Sequence, residues 1–182
     1  ANGNTIRLAR ANAANPRGAV TNWTVQRVLN DEDSHNGIPV DYITAKIDTS
    51  GYLHIAFENS KGELVYVKST NTSANGGTAY EFGSSQVISD SAMGADITLN
   101  GTTPYISYLS RVNSYDSVCI AWYDDNLDTD GDGTGDGGWE VMTAAMNRKA
   151  TNVKPNIAVH PAPATGGWTA AAGASRTGGS AP

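Results

Sequence analysis

The chain has 182 residues, of which only 16% are charged, and its 12 Lys and Arg against 18 Asp and Glu leave a net charge of −6. Such a chain has no basic surface for phosphates, which excludes nucleic acid as a partner and argues against an anionic membrane surface. No apolar run reaches the roughly 18 to 20 residues of a spanning helix, so no membrane insertion is expected.

Helical periodicity is nearly absent; its best window, Glu140 to Lys149, is short and reads equally well as a strand. Alternation with period two is common instead. In chain order the expected strands are Ile6–Arg10, Trp23–Val25, Ile43–Asp48, Tyr52–Glu58, Glu63–Ser69 and Thr78–Ile88. They continue with Ala95–Leu99, Tyr105–Tyr108, Val118–Trp122, Trp139–Val141, Pro155–Val159 and Gly167–Ala170. Leu53, Ile55 and Phe57 share one side of their strand, and both faces around Leu64–Lys68 are largely apolar. Gly, Asn, Ser and Thr clusters separate these runs, as in all-β proteins. The single cysteine, Cys119, permits no disulfide within the chain and sits in an apolar run, where a small buried hydrophobe is expected.

The segments repeat. Trp23-Thr24-Val25, Tyr80-Glu81-Phe82 and Trp139-Glu140-Val141 share one pattern at spacings of 57 and 59 residues. Ile6–Arg10, Leu64–Lys68 and Val118–Trp122 recur at spacings of 58 and 54. Two more sets begin at Ile43, Ala95 and Pro155, and at His54, Tyr105 and Gly167. Four strands per repeat of about 40 to 60 residues resembles the blade of a β-propeller. The resemblance implies an all-β fold of about three four-stranded antiparallel repeats, with a β-sandwich as the alternative. With blade strands lettered A to D from the inside outwards, residues 1–182 form a single repeat region. Its phase is C-D, A-B-C-D, A-B-C-D, A-B. Propellers use about four to eight blades. The expected partner is therefore a second copy of the chain, or another fragment of the same precursor, completing a larger ring or assembly.

The most specific motif is Asp128-Thr129-Asp130-Gly131-Asp132-Gly133-Thr134-Gly135-Asp136. Carboxylates at positions 1, 3, 5 and 9, a glycine at 6 and a carbonyl at 7 can wrap oxygen ligands around one Ca²⁺. Four acidic side chains this close repel one another without a cation. The expected ligands are Asp128, Asp130, Asp132, Thr134 and Asp136. The segment resembles the calcium loops of EF-hand-like modules and, more closely, the hairpin loops of integrin-alpha-type propellers. Position 12 is Trp139, so the bidentate Glu of a true EF-hand is absent. The turn before Trp139 weakly resembles the Asp-box of sialidase-type propellers.

Tyr52, Tyr105, Tyr108, Tyr115, Trp122 and Trp168 lie near strand starts or turns and form a candidate surface for a glycan or protein ligand. His35, His54 and His160 show no metal-ligand spacing, and His54 reads as a packed or inward-facing residue. No catalytic residues are assigned. The expected function is a secreted or cell-surface binding or assembly module stabilised by Ca²⁺. The alternatives are a fragment of a propeller-fold glycoside hydrolase or lyase, and a subunit of an extracellular filament.

Overall fold

The computed structural model describes residues 6–11, 23–29, 39–72, 79–112, 115–147, 153–160 and 169–176. Among these there is no helix. The strands are β1 (Ile6–Ala11), β2 (Trp23–Leu29), β3 (Pro39–Ile47), β4 (Tyr52–Asn59), β5 (Leu64–Thr72) and β6 (Gln86–Ser89). They continue as β7 (Met93–Asn100), β8 (Thr103–Val112), β9 (Tyr115–Asp124), β10 (Gly138–Asn147), β11 (Val153–His160) and β12 (Thr169–Arg176). They form four open antiparallel sheets: β1-β2, β3-β4-β5-β6, β7-β8-β9-β10 and β11-β12. The Glu140 to Lys149 window is strand at least through Asn147, because Val141 and Met142 pair with Ala121 and Ile120 across the ladder.

Local chemistry makes the turns. Asp48 closes the β3–β4 turn: its carboxylate accepts the N–H of Ser50 at 2.8 Å and of Tyr52 at 2.9 Å. Buried Asn59 does the same after β4, its Oδ1 accepting from Lys61 at 2.9 Å and Glu63 at 3.0 Å. Each is an Asx-type turn.

The expected outer strand Thr78–Ile88 is corrected. Its first residue lies outside the described residues, and only Gln86–Ser89 is regular strand. Phe82 makes a single bridge to Ser69, flanked by the backbone bonds Thr70 N–H to Glu81 carbonyl at 2.8 Å and Gly83 N–H to Lys68 carbonyl at 3.1 Å, while the Glu81 N–H donates to the Asn71 side chain. The run Gly83-Ser84-Ser85 then breaks the strand with residues of low β propensity.

The sheets stack face to face in chain order. Odd-numbered Leu53, Ile55, Phe57, Val65 and Val67 pack with Ile6, Val28 and Tyr80 toward the first sheet. Even-numbered Ala56, Leu64 and Tyr66 pack with Ile97, Ile106, Tyr108, Cys119 and Ala121 of the third sheet. Strand β5 is thus covered on both faces, as its doubly apolar pattern requires. Cys119 is a free, buried thiol in this core. The leading strands β3, β7 and β11 are joined through Asp96. Its Oδ1 accepts the Thr44 hydroxyl at 3.2 Å, and its Oδ2 accepts the Ile157 N–H at 3.2 Å.

Candidate functional site

Two places bring candidate functional side chains together. The first is the β9–β10 connection. Its stem is closed by the Leu127 carbonyl, which accepts the N–H of Asp136 at 3.0 Å and of Gly137 at 3.1 Å. Between these ends the chain curls inward, with Gly131 and Gly133 at φ of +82° and +87°, a region where a side chain would add strain. Asp128 accepts from Gly131 N–H at 2.6 Å and from Gly133 N–H at 2.8 Å. Those donors hold its carboxyl below the ordinary range. Asp136 accepts the hydroxyl of Thr129 at 2.8 Å.

One oxygen each from Asp128, Asp130 and Asp136 lies within 4.8 Å of the others, close enough for one ion to touch all three. All three residues are exposed. Asp132 stands apart from that trio: it accepts the Thr134 N–H at 2.7 Å and also the Thr134 hydroxyl, which hold its carboxyl low. Of the four carboxylates at ligand spacing, the fold gathers three and turns the fourth onto its neighbour. The set of hard oxygen donors suits Ca²⁺ rather than a metal that prefers nitrogen or sulfur.

The second place is a cleft of about 380 Å³ between the β4–β6 side of the second sheet and the β7–β8 turn and β9–β10 loop of the third. Behind it lies a chain of polar groups. Asp48 (6% exposed) meets His54 (0%) at 3.1 Å from Oδ2 to Nε2, and His54 Nδ1 meets the Tyr66 hydroxyl at 2.6 Å. Alternation places His54 on the same strand face as Ala56, and Tyr66 is its diagonal neighbour across the β4–β5 ladder. Burial alone would raise Asp48, but hydrogen bonds from His54, Tyr52 and Ser50 outweigh it and hold the carboxyl below its ordinary value. Burial lowers His54, and the Lys68 charge adds to that against the opposing pull of Asp48. Burial, with the charge of Asp48 nearby, raises Tyr66. An ionised Asp48 can only accept, so His54 Nε2–H donates to it, and Nδ1 of the uncharged ring accepts a hydrogen bond from the Tyr66 hydroxyl. The inward-facing reading of His54 agrees with its burial; its Asp48 and Tyr66 partners were not apparent from spacing.

Trp139, at the start of β10, packs against three of the residues that line the cleft. Its ring meets Tyr66 edge-on at 4.8 Å and Tyr123 at 5.7 Å, and its Nε1 donates to Gln86 Oε1 at 2.8 Å. Its repeat position in the sequence marked a strand, not this contact.

Among the described residues of the expected aromatic surface, Tyr108 is buried and Tyr52, Tyr105 and Trp122 are half-buried on two different sheets. Tyr108 is 2% exposed in the core beside Cys119, where burial pushes its hydroxyl up to about 12; it is core, not ligand surface. Tyr105 and Trp122 are half-buried cross-strand partners. Tyr52 is half-buried on another sheet, with Lys68 Nζ 4.9 Å from its ring centre. Trp168 and the Tyr115 side chain lie outside the described residues. No protein-family model and no curated protein sequence matches the chain.

Proposed function

We propose that the chain is a β-propeller-type module, stabilised by Ca²⁺, that acts by binding and assembly at the cell surface or outside the cell. The observation that carries this reading is the convergence of Asp128, Asp130 and Asp136 oxygens within 4.8 Å at the tip of a β-hairpin. A hairpin tip suits a structural ion: it locks a long connection instead of presenting a reactive water. An exposed site that gathers three carboxylates suits the weak, millimolar calcium affinities of extracellular modules.

Support for the propeller reading comes from the grouping of strands as two, four, four and two, and from the row formed by β3, β7 and β11. It also comes from position: Tyr42 and Gly94 each stand two residues before Thr44 and Asp96, each has positive φ, and each sits at a register shift. In this reading β12 is a B strand and β1 a C strand. Among the described residues neither has a ladder partner on its second edge, and a second copy of the chain supplies one.

A glycoside hydrolase needs two carboxyl groups about 5 to 10 Å apart facing the substrate. Among the described residues the cleft is lined by one, Asp125, with Asp48 behind His54. Binding is therefore favoured over hydrolysis. The test is thermal melting with 2 mM CaCl₂ against excess chelator. The expected result is a higher melting temperature with Ca²⁺ for the natural chain and no difference for Asp130→Ala. Equal melting of the natural chain in both buffers overturns the calcium role.

A further inference from the structure

We propose that the cleft between the second and third sheets is a binding site for a neutral sugar, with Tyr66, Gln86, Tyr123, Lys68 and Asp125 as its recognition groups. The inference rests on the binding role proposed above and not on the calcium loop. Its size, about 380 Å³, lies within the roughly 300 to 1,000 Å³ of small-molecule sites.

The polarity of each group follows from the bonds it already makes. Tyr66 gives its proton to His54 and is left with an oxygen lone pair, so it offers an acceptor. The indole N–H of Trp139 can only donate, so Gln86 must turn its carbonyl oxygen to Trp139, which leaves its amide NH₂ as a donor. Lys68 adds donors and Asp125 adds acceptors. Hydroxyls of Ser84 and Thr103 on the opposing walls serve as either. The lining thus mixes donors with acceptors, and holds one cation and one anion. A phosphate or carboxylate ligand would require an excess of cationic donors, and a cation would require an excess of carboxylates. A polyol, in which every hydroxyl both donates and accepts, matches the mixture. Tyr123, half-buried and held edge-on against Trp139, supplies rigid aromatic surface for the C–H face of a sugar ring.

The experiment is a titration followed by two-dimensional amide NMR in 2 mM CaCl₂. The probes are methyl β-glucoside, methyl β-galactoside, methyl α-mannoside, N-acetylglucosamine, cellobiose and lactose, with glucose 6-phosphate as a charged comparison. The expected result is saturable shifts for at least one neutral sugar at the amides of Ser84, Gln86, Thr103 and Asp125. Gln86→Ala should weaken that binding about fivefold or more, the loss of one hydrogen bond. The proposal is overturned if no neutral sugar gives saturable shifts at these amides, if glucose 6-phosphate binds there more tightly, or if Gln86→Ala binds as well as the natural chain. Calcium-independent melting together with sugar binding would sink the calcium role and leave this site standing.

Discussion

At the scale of the residue, the Asp48–His54–Tyr66 chain ties stability to pH. His54 is held below its ordinary value in the folded state, so below about pH 6.5 the unfolded chain binds the extra proton and folding weakens. The loss is at most about 1.4 kcal/mol per pH unit and starts as pH falls past the unfolded value; above about pH 7 this group contributes no slope. Asp48 acts in the same direction further down, its contribution vanishing as pH falls through the carboxylate range. The expected outcome is a urea midpoint that drops between pH 7 and pH 5, with the His54 part of that drop missing in His54→Gln. A variant as pH-sensitive as the natural chain would place the titrating group elsewhere. Little of this was legible beforehand. His54 read as a packed or inward-facing residue, but Asp48 read only as a strand-ending residue.

At the scale of the element, the bulges that open β3 and β7 set how closely the leading strands approach. Gly94 has φ of +66°, and a Cβ there would lie 3.3 Å from the Pro155 Cδ of β11. Gly94→Ala therefore meets both left-handed strain and crowding. It should cost about 1 to 3 kcal/mol, seen as a lower denaturation midpoint with an unchanged slope. An unaffected midpoint would show that β7 and β11 can separate freely. The element that reading the sequence described best is the β9–β10 loop. Ligand spacing, the glycine at position 6 and the flanking strands are all local, and local geometry is what spacing encodes. Which carboxylate would be diverted was not local knowledge: Asp132 is held by Thr134 through a hydroxyl whose direction spacing does not specify.

At the scale of the whole molecule, open sheet edges and exposed apolar side chains bear on the proposed association of copies. The second edges of β1 and β12 carry no ladder among the described residues. Val25 on β2 is 61% exposed, and Ile43 and Ile47 on β3 are 55% and 58% exposed. Apolar side chains on strand faces and unpaired edges together favour association through sheet extension. Light scattering behind a sizing column should give a mass at least twice that of one chain in millimolar Ca²⁺. A monomer that stays monodisperse at high concentration would rule out completion by a second copy.

Period-two alternation and turn residues by themselves determined that this chain is all-β, where most of its strands run, and that an acidic loop joins two of them. Those properties depend on neighbours a few residues apart. Only the tertiary structure decided that Tyr108 is core, that Asp132 stays outside the acidic trio, and that Trp139 packs against Tyr66. Residues 66 and 139 lie on different sheets, and their meeting depends on how the second and third sheets stack. Stacking is set by the summed burial of many side chains rather than by any single pair, so no spacing in the sequence announces it.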